Sequence, residues 1–148
     1  MTAQEIVRAL TQRGQTLAVA ESLTGGLLSD AIVQVPGASK IFMGGVVAYD
    51  ECRKVSLLGV RQETLEQHTA VSSQTALEMA RGARERLHTD WALSTTGYAG
   101  PDGEDVGLVY VALAGPTGEI AQECRFTGSR QEIRNQAVQA ALHLLTLE

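Results

Sequence analysis

A serine hydroxyl, a tyrosine hydroxyl and a lysine amine fall in loops of this chain that follow apolar segments, and together they suit acyl transfer. Ser22 lies in the run Leu17-Ala18-Val19-Ala20-Glu21-Ser22-Leu23-Thr24-Gly25-Gly26, where an apolar strand stops at a carboxylate, a hydroxyl and two glycines before an amphipathic segment. That order puts Ser22 on a strand-to-helix turn. Such a turn exposes a nucleophile, and the glycines are expected to leave the next helix's first N–H groups open to a phosphate or an oxyanion. The same ten residues also describe a plain tight turn with Thr24 as N-cap.

A serine needs a base to take its proton. The histidines, His68, His88 and His143, all fall on expected helices or helix ends outside the glycine-rich loops, which disfavours a Ser-His-Asp triad. Lysine serves as the base when burial lowers its pKa from about 10.4 toward 7 to 8. Lys54 is the only lysine in the three loops that follow apolar strands, at 21–26, 49–54 and 97–103; the alternative for it is a solvated helix residue. These loops also carry Tyr49, Gly97, Ala99 and Gly100, with Thr96 at the strand end just before the third. Loops beyond the carboxyl ends of neighbouring strands converge on ligands in open α/β sheets.

Arg130 and Arg134 stand four apart in the first turns of the last expected helix, where positive charge opposes the macrodipole. They read either as a phosphate clamp or as solvated arginines beside Glu132. Glu21 reads as a residue that orients the site or caps a helix. Asp102, Glu104 and Asp105 crowd a glycine turn, but their spacing fits no calcium loop.

The elements that must position these groups follow from periodicity. Residues 2–13 form a helix ended by Gly14, residues 16–20 a strand, and Leu27 to Val35 a one-faced helix stopped near Pro36. Gly44 to Tyr49 reads as a buried strand because Val46, Val47 and Ala48 run without alternation. Residues 51–67 read as one or two short helices broken at Gly59, and a longer helix starts at Ser72 or Ser73. Trp91 to Thr96 is a strand. Val106 to Ala114 and Glu119 to Phe126 form a hairpin, and Ser129-Arg130-Gln131-Glu132 is a capping box opening the last helix. The expected fold class is α/β, a three-layer α/β/α sandwich around a mixed sheet.

Composition bounds the function. The 148 residues are 44% hydrophobic, enough for one domain with a proper core. Net charge −5 with 4% aromatics argues against a nucleic-acid surface. No run approaches the roughly 20 apolar residues of a membrane span, and residues 1–14 do not read as a leader, so a cytoplasmic location is expected. Cys52 and Cys124 suggest neither a disulfide nor a zinc site.

Four stretches in order carry a resemblance: Ala20 to Gly26; Val47-Ala48-Tyr49 to Lys54 with Leu58-Gly59-Val60; His68 to Ser72; and Thr96 to Gly103 with Val106-Gly107. They resemble the C-terminal-domain family of competence/damage-inducible protein A (CinA), over essentially the whole chain, 1–148, as one such domain. The resemblance implies a nicotinamide-nucleotide amidohydrolase that converts nicotinamide mononucleotide to nicotinate mononucleotide and ammonia. It implies Ser22 as nucleophile, Lys54 as base and Tyr49 as the hydroxyl passing protons between them, with Arg130 or Arg134 on the substrate phosphate. Glu21, Thr24, Gly25, Gly26, Thr96, Gly97, Ala99 and Gly100 would line the nucleotide. It also implies a homodimer, with no metal and no organic cofactor. The family usually reads Tyr-Ser-Asn-Glu-x-Lys where this chain has Tyr49-Asp50-Glu51-Cys52-Arg53-Lys54, and a Glu51–Lys54 contact would hold the ammonium form. Only Glu104 and Asp105 separate Gly103 from Val106, where many members carry extra glycines and Lys-Pro. The alternative reading is a paralogue that keeps the pocket as a nucleotide-binding or regulatory module without turnover.

Overall fold

The computed structural model describes residues 1–147. Its centre is β1 (Leu17–Glu21), buried along its whole length because it lies inside a five-stranded sheet ordered β2-β1-β3-β4-β5. β1 runs parallel to β2 (Phe42–Val47) and to β3 (Trp91–Gly97), while β4 (Leu108–Gly115) and β5 (Gly118–Arg125) continue the sheet antiparallel. The sheet is mixed, as expected. Glu21 is in register with Val47 on one side and Thr95 on the other, so the ends of the three parallel strands line up.

Six α-helices among the described residues cover the two faces. α1 (Ala3–Arg13), α2 (Leu27–Val33) and α6 (Arg130–Leu144) pack on Leu17, Val19, Leu93 and Val111. α3 (Glu51–Leu58), α4 (Gln62–His68) and α5 (Ser73–Leu87) cover Ala18, Ala20 and Ala92 on the other face. The result is the three-layer α/β/α arrangement. Local signals fix the helix ends: Thr2 with Glu5 and Ser129 with Glu132 close capping boxes, and Gly14 and Gly59 end α1 and α3 in the left-handed region.

Two expectations are corrected. The second strand is not a buried strand over Gly44 to Tyr49. It is the edge strand Phe42–Val47, alternately half-buried and exposed, with Val46 facing the α5 side and Val47 facing outward. An edge strand with Gly44 and Gly45 in it has neither a second neighbour nor the side chains to be enclosed. The helix after Ser22 begins at Leu27 with Gly26 as its N-cap, so Thr24 does not cap it.

The approach of α3 to α5 sets the position of the lysine. A Cβ placed on Gly82 of α5 would lie 1.8 Å from the Leu58 carbonyl oxygen, so the two helix backbones touch there. Lys54 sits one turn before Leu58 and shares its inward face.

Candidate active site

Side chains of β1 alternate between the faces of the sheet, Leu17, Val19 and Glu21 toward α2 and α6, Ala18, Ala20 and then Ser22 toward α3 and α5. Ser22 extends the strand by donating its backbone N–H to the Thr95 carbonyl (3.1 Å). From the α3 side Lys54 reaches it. Lys54 Nζ lies 2.9 Å from Ser22 Oγ, 3.0 Å from the Ala48 carbonyl oxygen and 3.2 Å from that of Tyr49. Lys54 is only 2% exposed, so the solvated alternative is excluded.

Three neighbours around one tetrahedral nitrogen define its chemistry. As an ammonium Lys54 donates to all three oxygens, Ser22 Oγ among them; as a neutral amine its two N–H groups satisfy the two carbonyls and its lone pair is left for the Ser22 O–H. Burial pulls the Lys54 amine below its ordinary value, while the charges of Glu51 and then Asp50 draw it back part of the way. Among the described residues Lys54 forms no ion pair. Glu51 is exposed and acts on the amine from a distance, so the contact that would have fixed an ammonium is not made.

Glu21 is fully buried, and its carboxylate accepts five hydrogen bonds. Oε1 takes the Thr24 hydroxyl (2.6 Å) and the amides of Gly26 (3.2 Å) and Leu28 (2.8 Å), and Oε2 takes the Ser29 amide (3.1 Å) and hydroxyl (2.7 Å). The start of α2 is therefore occupied by the protein's own anion, which corrects the expectation that these amides stay open for a ligand. The Gly25 backbone N–H donates to the Ser22 carbonyl (3.1 Å), and φ values of 54° and 111° at Gly25 and Gly26 are the left-handed conformations that let the chain turn back over Glu21. Thr95, which sequence reasoning missed, joins this network. Its Oγ1 lies 2.8 Å from Thr24 Oγ1 and accepts from the Ser22 amide (3.4 Å). The missed signal was alternation along β3, which sends Thr95 toward Glu21 and Thr96 toward Ser22's side.

The hydrogen bonds of the described residues leave the Leu23 and Thr24 amides, beside Ser22, without an acceptor, although Leu23 and Thr24 are buried. A buried donor in that state is costly unless a ligand meets it.

The remaining candidates divide. Tyr49 is 64% exposed; its carbonyl, rather than its hydroxyl, meets Lys54, and its hydroxyl accepts from Arg130 Nη2 (3.2 Å). Arg130 also donates to the Gly100 carbonyl, and so links the second and third loops beside the site. Arg134 does not share that position. It spends Nε on the Leu23 carbonyl (2.8 Å), Nη2 on that of Thr24 (3.1 Å) and Nη1 on Gln131 (3.0 Å). Thr96 is buried and its hydroxyl donates to the Ala70 carbonyl (2.8 Å), tying β3 to the start of α5. Ala99 belongs to the core on the α6 side. Gly97 and Gly100 admit Val109 and Val106, whose methyls would stand 2.7 and 2.5 Å from an added Cβ. The acids Asp102, Glu104 and Asp105 are exposed. Among the described residues no three His, Cys, Asp or Glu side chains gather as metal ligands, and no helix is long and apolar enough to cross a membrane.

Residues 1–148 match the family model described as the CinA C-terminal domain. The chain is 48% identical over 147 residues to a CinA-like protein of Thermosynechococcus vestitus, covering 95% of this chain and 35% of that protein. It is 48% identical over 139 residues to a CinA-like protein of Frankia casuarinae, covering 92% and 32%. The chain thus spans about a third of the length of these relatives. Among solved structures, the competence/damage inducible protein CihA from Agrobacterium tumefaciens superposes with a TM-score of 0.93 at 39% identity, covering 96% of this chain and 90% of that one. A competence-damaged protein (CinA) superfamily protein from Escherichia coli gives 0.92 at 32% identity, covering 97% and 88%.

Proposed function

We propose, from the premise that this chain belongs to the CinA C-terminal domain family, that it is a serine amidohydrolase acting on nicotinamide mononucleotide. One observation carries the reading: a serine at the end of a buried strand lies 2.9 Å from a buried lysine amine. Buried lysines are rare because of the desolvation of the charge, and one beside a hydroxyl has the geometry and the pKa direction of a general base.

The steps balance on these groups. Ser22 Oγ attacks the carboxamide carbon as its proton passes to Lys54 Nζ. The oxygen of the tetrahedral intermediate carries the negative charge, and the vacant Leu23 and Thr24 amides are the donors for it, one such donor being worth about 3 kcal/mol. Lys54 then gives the proton to the departing nitrogen, the C–N bond breaks, and ammonia leaves an acyl ester on Ser22. Water, deprotonated by Lys54, attacks the ester; the acid is released and Ser22 Oγ recovers its proton.

Arg130 serves the phosphate better than Arg134, because it is exposed beside Tyr49 while Arg134 has its donors committed to the chain. Binding the phosphate away from the reacting bond holds the carboxamide close to the serine. In this reading Tyr49 positions Arg130 and lends Lys54 its carbonyl. Ammonia release from nicotinamide mononucleotide tests the proposal. Activity is expected in the native protein and a loss of at least roughly a thousandfold in Ser22→Ala; ammonia release equal to that variant's sinks it.

A further inference from the structure

The three peptide planes that follow Ser22 are each pinned by their carbonyl. The Ser22 carbonyl accepts the Gly25 amide (3.1 Å), the Leu23 carbonyl accepts Arg134 Nε (2.8 Å), and the Thr24 carbonyl accepts both the Leu27 amide (2.9 Å) and Arg134 Nη2 (3.1 Å). In a trans peptide the N–H points opposite to the C=O, so fixing a carbonyl aims the next residue's amide. The Leu23 carbonyl is drawn toward α6, and the Thr24 N–H of that same peptide is sent the other way. α6 packs on the α2 side of the sheet, whereas Lys54 approaches Ser22 from the α3 side. The Thr24 N–H therefore points away from the guanidinium, next to the hydroxyl that Lys54 addresses, and no protein acceptor meets it.

We infer that Arg134 is a positioning residue which presets the oxyanion site by holding the Leu23 and Thr24 carbonyls, and that it is not a ligand of the substrate phosphate. The inference rests on the acyl-transfer reading above. Arginine suits the task because two nitrogens of one rigid plane grip two consecutive carbonyls, which a single ammonium cannot do. Gly25 lies beside the grip, where a Cβ would stand in ordinary contact, 3.4 Å, with Arg134 Nη2. Further along the turn, Glu21 takes the amides of Gly26, Leu28 and Ser29, so the loop is held along its length and only the Leu23 and Thr24 donors remain unfilled.

The probe is pyridine-3-boronic acid, whose boron becomes tetrahedral and anionic on bonding a serine oxygen. In the native protein, boron NMR is expected to report the tetrahedral adduct, absent in Ser22→Ala, and the Thr24 amide proton is expected to move downfield as it forms. In Arg134→Met, kcat is expected to fall roughly 10²–10³-fold, the loss typical of one oxyanion donor, with KM changed less than about threefold. Arg134→Lys is expected to recover part of kcat, and Arg130→Met to raise KM instead. An adduct in the native protein without movement of the Thr24 amide overturns the inference while sparing the acyl-transfer reading, whether or not the Arg134 variants fold. So does an Arg134→Met protein that loses thermal stability but keeps its kcat, or one that raises KM alone. A native protein that neither forms the adduct nor releases ammonia overturns the acyl-transfer reading and this inference with it.

Discussion

Replacing Glu21 by glutamine keeps the shape of the side chain and removes its charge, which isolates what the buried carboxylate contributes. The oxygen of the amide keeps the three-donor position now held by Oε1, facing the Thr24 hydroxyl and the Gly26 and Leu28 amides. The NH₂ then faces the Ser29 amide at the 3.1 Å now spanned by Oε2, donor against donor, and the Ser29 hydroxyl must rotate to accept. One charge-assisted hydrogen bond is lost outright, worth about 1.5–3 kcal/mol, and the three retained bonds fall to neutral strength. The negative charge at the start of α2 disappears as well, a further ~1 kcal/mol. Relief of the cost of burying an ion offsets part of this. The net loss is about 2–4 kcal/mol. At roughly 2–4 °C per kcal/mol for a chain of this size, calorimetry should show Tm lowered by roughly 5–15 °C. Activity should fall too, since the loop carrying Ser22, Leu23 and Thr24 turns on this anchor. A Glu21→Gln protein melting within a degree or two of the native one at neutral pH would refute the argument that the charge holds the turn.

Lys54 must be neutral to take the serine proton and burial lowers its pKa, so kcat/KM should rise with pH through a midpoint below the ordinary 10.5; a flat profile would remove Lys54 as base. The same shift has a stability sign. The unfolded chain binds the proton more tightly, so the cost of burying this amine is largest below its lowered pKa and fades toward 10.5, and native stability relative to Lys54→Met should improve as pH rises across that window, measured by urea titration. Gly82→Ala places a methyl 1.8 Å from the Leu58 carbonyl oxygen and must push α3 off α5. It should cost about 2–4 kcal/mol by chemical denaturation and lower kcat more than it raises KM, because Lys54 moves with α3.

The parts of the molecule legible in the sequence are those decided by one segment alone. The capping box at Ser129, the glycine stop after α1, the hairpin and the hydroxyl after β1 depend on neighbours a few residues away, and the structure has them where spacing puts them. What spacing could not supply was the direction in which a polar side chain spends its bonds. Glu21 follows Leu17 and Val19 by twos, and this period already turns it inward, yet only the folded turn shows that it consumes the amides a phosphate was expected to use. Val46, Val47 and Ala48 read as a buried strand because an unbroken apolar run does not say whether a second neighbour exists, and β2 has none. Arg130 and Arg134 share one face of α6 at a spacing of four, and sequence treats them alike. Their separation comes from what each meets across the fold, a tyrosine hydroxyl and a loop carbonyl for one, two carbonyls of the nucleophile turn for the other.

Lys54 shows why such a site can survive changes in its own motif. Asp50 and Glu51 stand within one helical turn of the amine, and in water so close a pair of carboxylates would secure the ammonium. Here Asp50 spends its carboxylate capping α3 through the Arg53 amide, Glu51 lies exposed, and the amine is carried inward on the face it shares with Leu58. Their attraction is thereby weakened by solvent on one side and opposed by desolvation on the other, and desolvation is the larger of the two. The depth at which α3 holds the lysine, fixed by the contact of Leu58 with Gly82, therefore governs its basicity more than the identity of residue 51. Glu51→Asn should shift the midpoint of the pH profile down only slightly, whereas Gly82→Ala, which lets water reach the amine, should shift it up. A larger shift from Glu51→Asn than from Gly82→Ala in the same titration would reverse that order and make the charge, not the burial, the controlling influence.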